Sequence, residues 1–221
     1  MKNKVIAIDG PAGAGKSTVA QLVAAGLEYI YIDTGAMYRA VAWKALREND
    51  TVFLTDDFII KTVKNMDVRL QYADKTTKVY VDGEDVSDHL RTPEVSKVVS
   101  QVAKLAPVRE KMVFLQRKMA ENGAVVMDGR DIGSNVLPNA DVKIFLTASV
   151  EERAKRRFEQ MMKKGYEVDL LKLKEDIENR DKADMERTIS PLIKTSDAIL
   201  LDTTSMSVRQ VTDVILSLAS K

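Results

Sequence analysis

Five short apolar runs stand out along the chain: "VIAID" (5–9), "YIYID" (29–33), "VVMD" (125–128), "VKIFLTA" (142–148) and "AILLD" (198–202). Each is continuous rather than alternating, which is the signature of strands buried on both faces of a parallel sheet. Four of the five end in Asp. Segments of helical character separate them, with helices expected over Lys16 to Ala25 and over Ala36 to Arg47. A third begins at Ser149, where Glu152 three residues on makes a capping-box pattern, and continues through "RAKRRFEQMMKKG". A fourth is headed by Ser207, with Val208, Val211, Ile215 and Leu218 at helical spacing. Strands alternating with helices predict a doubly wound α/β fold, whose ligands bind beyond the carboxyl ends of the strands. The terminal Asp residues belong at that edge.

Residues 66–88 break the pattern. "VRLQY" and "KVYVDGEDV" alternate apolar and polar positions around "ADKTTK", which predicts an antiparallel hairpin with one wet face, inserted into the parallel fold. No internal repeat or low-complexity linker accompanies it.

The first run leads into "GPAGAGKST". Gly10, Pro11, Ala12, Gly13, Ala14, Gly15, Lys16 and Ser17 fit G-x-x-x-x-G-K-[ST], and Thr18 follows. An ordinary glycine-rich turn is the competing explanation, but a strand before and a helix after are the setting in which this pattern cradles phosphates. Glycines let backbone N–H groups point inward at an anion, and the helix N-terminus adds partial positive charge. Lys16 can reach the β- and γ-phosphates, and the Ser17 hydroxyl can ligate Mg²⁺. The motif alone does not separate GTPase switches, ATPases and small-molecule kinases.

Three further stretches bear on that choice. "DTGAMYR" places Thr34, Tyr38 and Arg39 near the ligand edge, where Arg39 either grips a second phosphate or lies on the helix surface. "MDGRDIG" puts Asp128 at a strand end, as an acid near Mg²⁺, and sets Arg130 and Asp131 on a glycine-flanked turn, as binding groups or as a local ion pair. Arg153 and Arg157 in "RAKRR", and Arg180, Asp184 and Arg187 in "NRDKADMER", recur at helical spacing. Alone they read as a solvated, salt-bridged face. Beside a phosphate loop they read as arginines that stabilise charge during phosphoryl transfer.

Bulk properties narrow the classes. The 221 residues suit one α/β domain with small lobes, and 45% hydrophobic with 30% charged residues supports a packed core. A net charge of +1 argues against a nucleic-acid polymer as partner. The absence of cysteine excludes disulfides and fits a reducing compartment. Val5 to Ile8 is too short an apolar run for a signal peptide, and no stretch is long enough to span a membrane, so a cytoplasmic location is expected. His89 is the single histidine and reads as a surface residue. Trp43 reads as packing, and Met161 and Met162 as core or lobe contacts.

Taken together, "IDGPAGAGKST", "YIDTGAMYRA", "GEDVSDHLRTPEV", "SQVAKLAPVRE", "VVMDGRDIG", "VKIFLTASVEERAKRR" and "RDKADMERTISPL" resemble the bacterial-type cytidylate kinases, members of the nucleoside-monophosphate kinase family, nearly end to end. The resemblance implies transfer of the ATP γ-phosphoryl group to CMP or dCMP with Mg²⁺. It also implies a P-loop NTPase-type parallel sheet flanked by helices, with a lid and a monophosphate-binding lobe carrying an antiparallel insert. The core would comprise 1–33, 104–152 and 188–221, the monophosphate lobe 34–103, and the lid with its flanking helices 153–187. Thr34 and Arg39 would hold the acceptor phosphate, Ser100 and Arg109 the base, Arg130 phosphate and Asp131 base. Arg180 and Asp184 would take the sugar hydroxyls, Arg187 the phosphate, and Arg153 and Arg157 would face ATP. Thr34 stands where some members have Ser, and Ser134 where many have Thr. A monomer is expected. The alternatives are a P-loop kinase of another acceptor (UMP, AMP or shikimate), a GTPase-type switch, disfavoured because no N-K-x-D tetrapeptide is present, and a nucleic-acid-binding module.

Overall fold

The five apolar runs become the five strands of one parallel sheet. A computed structural model describes residues 3–49, 51, 53–73, 76–163 and 165–220. In chain order the elements are β1 (Val5–Asp9), α1 (Lys16–Leu27), β2 (Ile30–Asp33), α2 (Thr34–Glu48), α3 (Asp56–Asn65), β3 (Val68–Ala73), β4 (Thr76–Val81), β5 (Glu84–Asp85), α4 (Pro93–Val102), α5 (Ala106–Met119), β6 (Val125–Asp128), β7 (Val142–Thr147), α6 (Val150–Met162), α7 (Leu170–Glu186), β8 (Ile199–Asp202) and α8 (Val208–Ala219). The sheet order is β2-β6-β1-β7-β8. The phosphate-loop strand β1 is therefore central, paired in register with β6 (Ile8 with Asp128) and β7 (Asp9 with Phe145). On the far side of β6, Asp33 of β2 pairs with the same Asp128. Parallel direction brings all the carboxyl ends to one edge, so the sheet itself gathers Asp9, Asp33 and Asp128.

Burial explains the apolar runs. Ile6 and Ile8 face a layer built with Val19 and Val23 of α1 and Val211 and Ile215 of α8, while Ala7 faces the opposite layer with Ile32, Val125 and Met127. A strand alternates its side chains, so covering both faces requires every position to be apolar. β8 departs from the expectation of a buried strand: Ile199 and Leu200 are 43% and 55% exposed. It is one of the two edge strands and, unlike β2 at the other edge, which the small sheet covers, it has β7 as its neighbour among the described residues; edge position is not encoded in apolarity.

The hairpin forms as expected. β3 and β4 pair antiparallel from Val68–Val81 to Ala73–Thr76, and β5 extends the sheet; residues 74 and 75 of the expected turn lie outside the described residues. Val68, Val79 and Val81 turn inward, into a third core shared with Met37 and Val41 of α2, Ile59 of α3, Val99 of α4 and Met112 of α5. The Thr77 hydroxyl donates to the Tyr31 carbonyl at 3.3 Å, fastening this small sheet to the outer edge of the large one.

Helix starts follow side-chain caps. The Asp33 carboxylate accepts from the Ala36 N–H, so α2 begins at Thr34, two residues before the expected Ala36. Ser149 accepts from the Glu152 N–H as expected, but the Glu152 carboxylate turns to Arg156 at 2.8 Å instead of completing the box. The Ser207–Gln210 box is complete. Trp43 packs as expected, with Arg47 over its ring at 4.9 Å and His89, which is exposed, stacked at 6.3 Å. Met162 does not pack in a core; it is 51% exposed at the end of α6. Among the described residues no helix is long and apolar enough to cross a membrane.

The Ser207 side chain bonds Gln210 and none of the charged residues gathered at the sheet edge. Ser207→Ala is expected to lower stability by about 1 kcal/mol while leaving turnover unchanged, measured by urea unfolding alongside a steady-state assay.

Candidate active site

The phosphate loop joins the end of β1 to the start of α1. Gly10 presses so closely on β7 that an added Cβ would lie 1.9 Å from the Leu146 carbonyl oxygen. Gly15, at φ 88°, is the N-cap of α1, a left-handed conformation that favours glycine. Lys16 is buried and its ammonium donates to the Pro11 carbonyl at 2.7 Å, folded across the loop. Burial, reinforced by Arg130, pulls the Lys16 pKa well below its ordinary value.

Beneath the loop lies a chain of hydroxyls and a carboxylate. The Ser17 hydroxyl donates to Asp128 Oδ2 at 2.9 Å, and the Tyr31 hydroxyl donates to Asp128 Oδ1 at 2.8 Å. Burial, then the nearby Asp33 charge, push the Asp128 pKa up to about 6. The Thr34 hydroxyl donates to the Asp128 carbonyl at 2.7 Å. Its proton thus shapes the corner between β2 and β6, and only its lone pairs face elsewhere.

Arg39 is no surface arginine. Its guanidinium lies over Gly35 beside Asp33, and burial lowers its pKa. Arg91, in the loop before α4, pairs with the Asp33 carboxylate at 3.0 Å. Arg39 and Arg91 line a cleft of about 390 Å³ together with Ser17, Thr18, Tyr31 and Asp33. On the other side of Asp128, Arg130 donates through Nε to Asp184 at 2.9 Å. Arg180 has a buried Nε without a partner, and burial with the neighbouring Arg130 and Arg39 pushes its pKa down to about 9. The solvated-face reading of this arginine set is thereby excluded for Arg153, Asp184 and Arg187, which are all buried.

Asp131 is the hub of a second cluster. Arg109 and Arg187 both pair with its carboxylate, and Asn135 Nδ2 donates to it at 3.0 Å. The Arg109 guanidinium also sits 5.6 Å from the centre of the Tyr38 ring. Three buried polar groups here have no hydrogen-bond partner: the Tyr38 hydroxyl, Arg109 Nε and both amide atoms of Gln116. Such groups cost stability unless a ligand satisfies them. Ser100 is half-buried on α4.

Arg153 is placed otherwise than expected. It is buried under the phosphate loop, donating to the Ala148 carbonyl at 2.9 Å and to the Ala12 carbonyl at 2.9 Å, and pairing with Asp181 at 2.6 Å. Asp181 in turn accepts from the Ala12 N–H at 3.2 Å. Both backbone groups of one loop residue are held by this pair, so Arg153 acts on the loop rather than presenting an open face to ATP. Arg157 is half-buried, with Nη1 donating to Gln160 at 2.8 Å. Sequence reasoning missed Asp181, Arg91, Tyr31 and Gln116. Arg91, Tyr31 and Asp181 stood inside quoted motifs without a role assigned to them, and Gln116 lay outside those motifs; their partners are distant in the chain, so no local signal marks them.

The family model for cytidylate kinase matches residues 6–221. The chain is 56% identical over 216 residues to the cytidylate kinase of Bacillus subtilis, covering 97% of this chain and 96% of that one. It is 53% identical over 215 residues to the cytidylate kinase of Bacillus cereus, covering 97% and 95%. Among solved structures, shikimate kinase from Bacteroides thetaiotaomicron superposes with a TM-score of 0.51 at 13% identity, covering 99% of each chain, which speaks to the fold alone. Shikimate kinase from Acinetobacter baumannii, in complex with shikimate, gives 0.50 at 14% identity, covering 99% of this chain and 94% of that one. The chain belongs to the cytidylate kinase family.

Proposed function

We propose that the chain transfers the γ-phosphoryl group of ATP to CMP or dCMP, giving CDP or dCDP and ADP. One observation carries this reading: Lys16 is buried, Arg39 and Arg180 are half-buried, and the pKa of each is lowered first by desolvation and further by neighbouring arginines. A cleft so rich in cations favours ligands that concentrate negative charge, as two phosphate groups brought together do. The acceptor oxygen is already an oxyanion, so no strong general base is needed. Catalysis rests on positioning and charge neutralisation by Lys16, Arg130, Arg157 and Arg187. The kinases of UMP or AMP are not favoured by the family to which the chain belongs.

In this reading Gly10 to Thr18 take the ATP phosphates. Arg39, Arg130 and Arg180, with Arg91 added to the set, take the acceptor phosphate and sugar alongside Thr34 and Asp184. Tyr38, Ser100, Arg109 and Asp131 take the base. Cytosine offers an amino donor that a carboxylate accepts, and acceptors that a guanidinium serves; uracil presents an O4 acceptor to the same carboxylate. The segment 153–187 closes over the site. Since Arg153 and Asp181 clamp Ala12, the moving part lies between them, at the far ends of α6 and α7. Closure excludes water and suppresses ATP hydrolysis.

A Mg²⁺ ion fits the donor set. Ser17 supplies a hydroxyl and Asp128 a carboxylate, and the mutual repulsion of Asp128 and Asp33 is relieved by a cation. Among the described residues no cluster of three or more carboxylates, histidines or cysteines could hold a metal, so Ser17 and Asp128 would hold the ion together with the nucleotide, and it would supply charge neutralisation at the phosphates.

Three outcomes are expected. In a coupled ADP-release assay with Mg·ATP, CMP and dCMP turn over rapidly and UMP and AMP slowly; equal kcat/KM for CMP and UMP would refute the base role of Asp131. Lys16→Ala abolishes turnover with an unchanged circular dichroism spectrum. Asp128→Asn abolishes turnover yet raises the melting temperature at pH 7.5. The sign follows from the raised pKa of about 6: the native state holds this proton more tightly than the unfolded chain, so burial of the charge costs stability above pH 6. That penalty fades as pH falls from 6 toward 4. The difference in melting temperature between the two proteins is expected to narrow over that interval.

A further inference from the structure

Asp9 closes the central strand and directly precedes Gly10, the first residue of the phosphate loop. Its carboxylate points away from the loop. Oδ1 accepts the Ile132 N–H at 2.8 Å and Oδ2 accepts the Gly133 N–H at 2.7 Å. These are the two residues that follow Asp131 and open a short π-helical turn, Ile132–Val136. The same turn folds back on Asp131, whose carbonyl accepts from the N–H groups of Asn135 (2.9 Å) and Val136 (3.1 Å). The first N–H groups of a helical turn have no partner within it, and here both are met by one carboxylate 123 and 124 residues away.

The backbone of Asp9 cannot drift, because it is paired with Phe145 in the middle of the sheet. Burial pushes its pKa up to about 6, while the two backbone donors favour the ionised form. It therefore remains a carboxylate at neutral pH, and its two bonds are charge-assisted, the shorter and stronger kind. There is little slack around them: a Cβ on Gly133 would meet the Lys143 side chain at 3.1 Å and Asp9 Oδ2 at 3.4 Å.

We propose that Asp9 is a positioning residue that fixes the acceptor-side turn bearing Arg130 and Asp131 at a set distance from the phosphate loop. One carboxylate then sets the gap between the donor and acceptor halves of the site through its bonds to the turn. This rests on the reading of Arg130 and Asp131 as acceptor-side residues.

Asp9→Asn tests it. An asparagine keeps one acceptor oxygen and turns an amide donor toward the second N–H, so the turn must shift. The expected result is a rise of about tenfold or more in the KM for CMP, as small displacements of positioning groups produce. The preference for CMP over UMP in kcat/KM should shrink, and the KM for ATP should stay within about twofold of wild type. Gly133→Ala, whose methyl would press on the Lys143 side chain beside the same contact without removing the charge, is expected to move the CMP constants in the same direction by less. Unchanged CMP constants in whichever variant folds, judged by circular dichroism and thermal unfolding, would overturn the proposal and leave Asp9 a stabilising residue. A rise in the KM for ATP as large as that for CMP would also overturn it, placing Asp9 in service of the phosphate loop. Wild-type enzyme lacking any CMP preference would sink the base role of Asp131 instead, while the CMP-against-ATP split in the variants still decides the role of Asp9.

Discussion

Burying positive charge without enough negative charge to match it is the constraint around which this molecule is built. Lys16 is buried and Arg39 and Arg180 are half-buried, each close to Arg130, and each loses proton affinity as a result. Left uncompensated, such a cluster opposes folding. The surrounding structure offsets it only in part. Asp33 serves Arg91, Asp184 serves Arg130, and Lys16 falls back on a carbonyl of its own loop. In the proposed reading the residual positive potential suits the cleft to phosphate groups, and the sheet beneath it holds the cations in place.

Carboxylates do much of that holding. Asp128 ties Ser17 to Tyr31, Asp131 gathers Arg109, Arg187 and Asn135, and Asp181 with Arg153 grips the backbone of Ala12. Each joins segments far apart in sequence, so the phosphate loop, the turn after β6 and the helices α6 and α7 form one bonded unit. A ligand entering this unit displaces few internal bonds: the Tyr38 hydroxyl, Arg109 Nε, the Gln116 amide and Arg180 Nε are buried without partners. Pre-organisation of this kind spares the ligand the entropy of ordering its own receptor.

How much of this was legible in the sequence depended on the range of the interaction. The five strands and the hairpin were legible, because covering two faces demands continuous apolar runs and covering one demands alternation. The phosphate loop was legible because backbone geometry ties glycine to particular positions. The arginines were visible as a set, yet their individual placements were not. Arg153 and Arg157 look alike at helical spacing, but one lies under the loop and the other is half-exposed. What separates them is Asp181, 28 residues beyond Arg153. Edge and centre strands likewise share a composition, so the exposure of Ile199 and Leu200 had no local signature.

The register of the sheet carries a consequence for how such an enzyme can change over time. Asp33, Asp128 and Ile8 lie side by side across three adjacent strands. Gaining one residue at the start of β6 would turn each of its side chains to the opposite face. Met127 would then stand where Asp128 does, and the site and the core would fail together. The segment between α3 and α4 is under no such restraint, since its small antiparallel sheet hangs from the outer edge of β2 and carries none of the large sheet's ladder. Insertions and deletions are thus steered away from the strands and into that outlying sheet, where length can drift while the chemistry stays put.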